Sequence, residues 1–358
     1  MAFNFRLPDI TDLTIEQQAV LNETKAIAIS GGPGTGKSVV SLWRHIQNHD
    51  MGRRNSLLLT YTVSLASYLS SSARAENIDA GTNVNRTYRW LTEFASNKYG
   101  EIIIDEAQDV RQEKYFEIQQ LSPMISYSAD DNQILYPHSS SSENELQAIF
   151  NNPHFTLREN YRNTKEVVRF IRSMFPASII SDGKINGPKP QLTLSGGAIG
   201  VQKKIILDAI RTFKGANDNI SILVPLANHV DYWFRELKNS GITCSKYTNA
   251  DIEIDVIENV HITTFKSSKG LEFDTVIIPN FNKYEDFIRV YDVVKKNDFY
   301  VVLTRSRRNL ILIDSSPLVN GTSSITFIRN QINQKIVEVN KSYVESESST
   351  IETNDLPF

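Results

Sequence analysis

Cysteine is almost missing from this chain: Cys244 is the single one among 358 residues. One thiol excludes an internal disulfide framework and any zinc cluster built from several cysteines. It leaves Cys244 to act as a small core residue. No apolar run approaches the roughly 18 residues of a membrane-spanning helix, and the N-terminus lacks the pattern of a secretory leader. Those absences lead us to expect a cytoplasmic protein with no membrane partner. An excess of positive charge is missing too, since the formal net charge is −3. Much of that deficit lies at the end, where Glu345, Glu347, Glu352 and Asp355 face only Lys341. A near-neutral body can still carry a basic groove, so net charge neither supports nor excludes nucleic acid. No internal repeat of solenoid length is present.

What is present is ordinary globular composition, 40% apolar and 22% charged, in a chain long enough for two cored domains. Short β-rich apolar runs alternate with helical patterns, the mark of parallel α/β architecture. In the first half the strands fall at Ala26–Ser30, Ser56–Thr60, Glu101–Asp105 and Pro123–Ala129, with helices at Lys37–Asn48 and Thr62–Ser71. Thr14-Ile15-Glu16-Gln17 and Ser142-x-x-Glu145 have capping-box spacing. A second alternating set places strands at Ile220–Pro225, Val260–Thr264, Thr275–Pro279 and Leu310–Asp314. Its helices fall at Thr164–Met174, Leu226–Asn239 and Lys296–Ser306. The expected division is 1–152, 153–335 and a flexible acidic tail over 336–358, rich in Ser, Thr and Glu.

Two stretches carry chemistry. Gly31-Gly32-Pro33-Gly34-Thr35-Gly36-Lys37-Ser38 fits G-x-x-x-x-G-K-[ST], follows an apolar strand and opens a helix. Backbone N–H groups around Gly32, Gly34, Thr35 and Gly36 can wrap phosphates, aided by the helix N-terminus. Lys37 then reaches the β- and γ-phosphates of ATP, and Ser38 ligates Mg²⁺. Ile102-Ile103-Ile104-Asp105-Glu106-Ala107-Gln108-Asp109 is a buried strand ending in two carboxylates. Asp105 fits as the metal-side carboxylate and Glu106 as the base for the attacking water.

The Asp-Glu-Ala-Gln-Asp run downstream of a P-loop resembles motif II of the UvrD/Rep-like helicases of superfamily I, and the family's other motifs follow in order. Leu13-Thr14-Ile15-Glu16-Gln17 resembles the segment that sets a glutamine on the adenine edge, which assigns Gln17 to that contact. Thr60-Tyr61-Thr62 resembles motif Ia, so Tyr61 would stack on single-stranded DNA with Thr62 beside it. Thr87-Tyr88-Arg89 sits where the family has a DNA-path segment. Asp130-Asp131-Asn132-Gln133 resembles motif III, with Gln133 sensing the γ-phosphate and Tyr136 on the DNA. The family's Trp-Arg-Gly after it is replaced by Pro137, His138 and Ser139. Glu159-Asn160-Tyr161-Arg162-Asn163 resembles motif IV, which places Tyr161 on adenine and Arg162 on the γ-phosphate. Thr264–Asp274 resembles motif V, with Gly270 approaching the nucleotide, Glu272 on the ribose and Lys266 on DNA. Tyr300–Arg307 resembles motif VI, with Arg305 as a second arginine finger.

The resemblance implies two tandem RecA-like P-loop NTPase domains that hydrolyse Mg²⁺-ATP in the cleft between them. It implies an ATP-dependent translocase or helicase moving 3′→5′ on single-stranded DNA. Little chain separates Thr87 from Asp105, and about a hundred residues separate Arg162 from Thr264, so the family's large accessory insertions have no room. That spacing and the altered motif III keep a second expectation open: a DNA-binding ATPase switch serving a partner nuclease or repair protein, in repair or anti-phage defence. Asn354-Asp355-Leu356-Pro357-Phe358 resembles the acidic tip of bacterial single-stranded-DNA-binding protein, which implies a protein partner that binds such a tip.

Overall fold

The Ile102–Ile104 run is apolar on both faces, which suits a strand covered by helices on both sides. In the computed structural model it forms the carboxyl end of the strand Glu101–Ile104. The structure describes residues 7–135, 140–215, 218–248, 257–290, 295–319, 323 and 325–345. The chain divides into two compact units: Phe5–Tyr161 with Ile179–Ser181, and Arg162–Ser178 with Asp182 onward.

The first unit holds β1 (Ala28–Ser30), β2 (Ser56–Thr60), β3 (Val84–Arg86), β4 (Glu101–Ile104), β5 (Ile125–Ala129) and β6 (His154–Thr156), in the order β3-β2-β4-β5-β1-β6. Every described pairing is parallel. The sheet core includes Leu57, Trp90, Ile102, Ile104, Tyr115 and Tyr127. Trp90 and Tyr115 are almost fully buried, each worth on the order of 2–3 kcal/mol in apolar burial.

The second unit holds β7 (Gln191–Leu194), β8 (Ile220–Val224), β9 (Ser245–Tyr247), β10 (Val260–Thr264), β11 (Phe273–Ile278), β12 (Ser306–Asp314) and β13 (Glu338–Asn340), in the order β13-β7-β12-β11-β8-β10-β9. It too is parallel throughout its described pairings. Its core gathers Ile206, Ile222, Val230, Trp233, Ile262 and Ile277. Two parallel α/β sheets in tandem are the architecture expected from the alternating pattern, and they suit the paired RecA-like domains that the resemblance implies.

Three boundaries differ from expectation. The division falls at Tyr161/Arg162, not 152/153, because β6 pairs with β1 and completes the first sheet. The helix expected at Lys296–Ser306 stops at Leu303, and Ser306 already pairs with Phe273 in the second sheet. The tail expected over 336–358 starts as structure: Ile336 and Val337 are buried, and β13 pairs with β7. A short β-branched run inside polar sequence gains its order from an edge partner that local composition does not reveal. The Asp355–Phe358 tip lies outside the described residues.

Each unit buries a neutral histidine. His45 sits between Ser56 Oγ (2.8 Å) and the Ala80 carbonyl (2.9 Å). Burial pushes His45 down to about 3, and burial does the same to His261. The unfolded chain takes up these protons below about pH 6.5 while the folded chain does not, so stability is full above that pH and falls on acidification. Moving from pH 7 to pH 5 is expected to remove about 2 kcal/mol per histidine. Denaturant unfolding of wild type and His261→Gln at both pH values tests this, and an equal acid loss in the two proteins refutes it for His261.

Candidate active site

The strand order β4-β5-β1 sets three chain segments side by side at the carboxyl ends of parallel strands, where α/β sheets bind ligands. After β1 comes the P-loop, leading into helix α2 (Lys37–Asp50). Gly36 precedes it at φ 90°, a left-handed conformation that favours glycine. An added Cβ there would lie 2.4 Å from Gln17 Nε2, so glycine also permits close approach. Lys37 is buried, donates to the Gly31 and Gly32 carbonyls at 2.5 and 3.2 Å, and lies 3.7 Å from Asp130.

Asp105 and Glu106 follow β4. Asp105 is buried, accepts a hydrogen bond from Ser128, and leaves Oδ2 without a hydrogen-bond partner. Burial raises its pKa to about 6, the charge of Glu106 adds to the rise, and Ser128, Ser38 and Lys37 oppose it. An orphaned buried carboxylate oxygen next to a serine hydroxyl fits a hard cation that takes oxygen ligands. Glu106 is a non-glycine residue at φ 57°. Backbone strain of this kind gathers at functional positions. Its Oε2 accepts from Gln108 Nε2 at 2.5 Å. After β5, Asp130 Oδ2 accepts from Gln133 Nε2 at 2.6 Å, which places Gln133 next to the carboxylate that faces Lys37.

Gln17, Tyr161 and the P-loop share one corner. Helix α1 (Ile15–Asn22) opens with the expected capping box between Thr14 and Gln17. Gln17 Nε2 also donates to the Thr35 carbonyl at 3.0 Å. An amide has two donors and a two-lone-pair acceptor, so Gln17 ties the loop down and still keeps capacity for a base. Tyr161 N–H donates to the Gly34 carbonyl at 2.9 Å, while its ring stays 37% exposed. Burial, with Glu159 beside the hydroxyl, pushes its pKa up to about 12. It is a neutral aromatic surface.

The second unit collects Arg162, Gly270, Glu272, Arg305 and Arg307. Arg162 Nε pairs with Glu272 Oε2 at 2.6 Å, and Arg307 reaches Glu272 Oε1 at 3.4 Å. Burial works against the charge on Glu272, yet Arg162 and Arg307 outweigh it and hold the carboxyl below its ordinary range. Glu272, the expected ribose contact, holds both arginines in this structure. Gly270 has φ 82°, as a tight approach before β11 requires.

Arg305 lies deeper in the second unit than Arg162 or Arg307. It is 1% exposed and donates to the Val301 carbonyl, the Leu271 carbonyl and Thr304 Oγ1. These bonds hold its guanidinium within the second unit. Arg307, two residues on, keeps 35% of its side chain exposed. Neighbouring Asn163 donates to the Thr304 and Ser306 carbonyls and pins the same turn. Sequence reasoning passed over Asn163, Arg307, Gln108 and Asp130. All four stood inside the motifs, but the partners that give them their place include residues distant in sequence.

The nucleic-acid candidates fare unevenly. Tyr61 is half-buried and meets Tyr88 edge-on with centroids 5.9 Å apart. Thr62 caps the helix Val63–Glu76, accepting from Leu65 N–H. Thr87 is wholly buried and donates to the Thr60 carbonyl at 3.3 Å. Lys266 is half-buried, and its charge acts on Asp298. Tyr136 lies outside the described residues.

Residues 24–191 match the family described as Schlafen group 3, DNA/RNA helicase domain. Residues 242–316, which hold motifs V and VI, match the UvrD-like helicase C-terminal domain. Both matched families are helicases, and the C-terminal match is UvrD-like. A relative from Acanthamoeba polyphaga mimivirus that bears the name of an ATP-dependent DNA helicase is 26% identical over 281 residues, 71% of this chain and 38% of the relative. This helicase chain thus spans well under half of that protein's length. Among solved structures, the PRRSV helicase is 14% identical with TM-score 0.45, over 87% of this chain and 57% of that one. The arterivirus nonstructural protein 10 helicase, solved with DNA, is 12% identical with TM-score 0.43, over 84% of this chain and 62% of that one. Among the described residues, no helix is long and apolar enough to cross a membrane.

Proposed function

We propose that this chain is an ATP-hydrolysing motor that moves along single-stranded DNA, 3′→5′ as its family motifs imply. One observation carries the reading. Buried Lys37, Asp105 with its orphaned oxygen, and strained Glu106 converge at the carboxyl ends of β1 and β4. In this reading the P-loop amides and Lys37 bind the phosphates of ATP. Ser38 and Asp105 would hold Mg²⁺, which neutralises phosphate charge when bound. Glu106 orients the attacking water and takes its proton. Gln133, through Asp130, reports the γ-phosphate. Tyr161 stacks on the adenine, with Gln17 at its edge.

Arg162 and Arg307 would carry positive charge to the transferred phosphoryl group, the role of arginine fingers. Both start paired to Glu272, so recruiting them means breaking those pairs. That would tie hydrolysis to domain movement and so to stepping along a strand. Tyr61 and Lys266 remain the DNA contacts in this reading.

The test is ATP turnover by the purified chain with and without single-stranded oligonucleotide. Stimulation by about tenfold or more is expected, since strand binding would have to recruit the arginines. No stimulation at saturating oligonucleotide would falsify the motor reading. Duplex unwinding by the isolated chain separates a helicase from an ATPase switch that works for a partner.

A further inference from the structure

Gln108 is fully buried and makes three contacts that all reach catalytic segments. Its Nε2 donates to Glu106 Oε2 at 2.5 Å. Its Oε1 accepts from the Asp130 N–H at 3.2 Å. Its own carbonyl accepts from the Ser141 N–H at 3.0 Å. One residue therefore touches the proposed base and both ends of the 130–141 segment. Within that segment Asp130 is itself a junction: Oδ1 accepts from Asn132 N–H at 3.0 Å, and Oδ2 accepts from Gln133 Nε2 at 2.6 Å. The same Oδ2 lies 3.7 Å from Lys37 Nζ. Ser141 adds a second tie, donating through Oγ to the Val110 carbonyl at 2.7 Å.

An amide can donate to a carboxylate through its nitrogen and accept from a backbone N–H through its oxygen at once. At this position it joins the carboxylate after β4 to the loop after β5. We infer that Gln108 is a positioning residue that, with Asp130, locks the orientation of Glu106 to the position of the Gln133 loop. The water-activating carboxylate is then aimed only when the loop beside the γ-phosphate is in place. This rests on the ATPase reading above. Gln108 touches neither nucleotide nor water in this scheme, and its effect passes through Glu106.

Two variants of the full chain separate positioning from mere support. Gln108→Ala removes all side-chain contacts. Gln108→Glu keeps an oxygen for the Asp130 N–H but cannot donate to Glu106. Both are expected to lose about 10- to 100-fold in kcat for ATP, as loss of an orienting partner does elsewhere. KM for ATP should stay within about threefold, because ground-state binding is untouched. Combined with Gln133→Ala, the losses should fall short of multiplying, since the two residues act as a unit. Binding of a fluorescent ATP analogue by each variant shows that it is folded, and Gln108→Glu carries the comparison if the alanine variant is unstable. Wild-type kcat in Gln108→Glu, or losses that multiply in the double variant, overturns the relay. Turnover that Glu106→Gln abolishes but neither Gln108 variant affects does the same and leaves the ATPase reading standing. A wild type without ATP turnover overturns that reading and the relay with it.

Discussion

Glu106→Gln is expected to lower ATP turnover by at least about a hundredfold while ATP binding is retained. In barrier terms that is about 2.7 kcal/mol. The substitution keeps shape and volume, and the glutamine carbonyl can still accept the hydrogen bond that Gln108 Nε2 gives to Glu106 Oε2. The left-handed backbone at φ 57° is unchanged by it. What disappears is the carboxylate that takes the proton from water. Asp105 does not replace it. Its Oδ1 is occupied by Ser128, and burial opposes its charge. Steady-state turnover beside nucleotide binding makes the check, and a kcat within about threefold of wild type would remove Glu106 from the base role.

The largest stability effect is expected at Glu101, at the other end of the same strand. Its carboxylate is fully buried and accepts from Arg44 Nε at 2.7 Å, Asn48 Nδ2 at 2.8 Å and Ser126 Oγ at 2.5 Å. Arg54 approaches to 3.5 Å. Arg44, itself 3% exposed, also donates to the Glu23 and Lys25 carbonyls and so ties the end of α1 to α2. Glu101→Ala leaves the Arg44 guanidinium buried without a counter-ion. Breaking such a pair from one side costs about 3–5 kcal/mol, a large part of a typical 5–15 kcal/mol domain stability. The melting temperature of the first unit should fall by roughly 10 °C. The exposed pair Arg89–Glu93 gives the contrast, since Glu93→Ala should cost under about 0.5 kcal/mol. Comparable melting shifts for the two variants would show that burial does not decide the cost.

The pattern of legible and hidden features follows from range. The P-loop can be read because its chemistry lies in consecutive residues, and the glycine at φ 90° before Lys37 is a local demand. Strands β2 and β10 can be read to the residue, since both are fully buried and rich in aliphatic or β-branched residues. The short strands β3, β6, β9 and β13 escaped detection. Three residues contain no period, and only pairing to a neighbour makes them strands. The caps at Thr14 and Ser142 were visible because donor and acceptor sit three residues apart.

Sequence alone determined which residues could do chemistry: a lysine and serine behind a glycine loop, and two carboxylates closing an apolar strand. It also determined their order, and with it the family. Tertiary structure decided how each of those side chains is buried and bonded. Arg305 and Thr87 both match motifs, yet each is buried and bound to a backbone carbonyl. Gln108 and Asp130 acquired their importance from contacts 22 residues apart. A motif specifies residue type and spacing along the chain. Burial and choice of hydrogen-bond partner depend on which strands become neighbours, and the order β4-β5-β1 appears nowhere in the linear sequence.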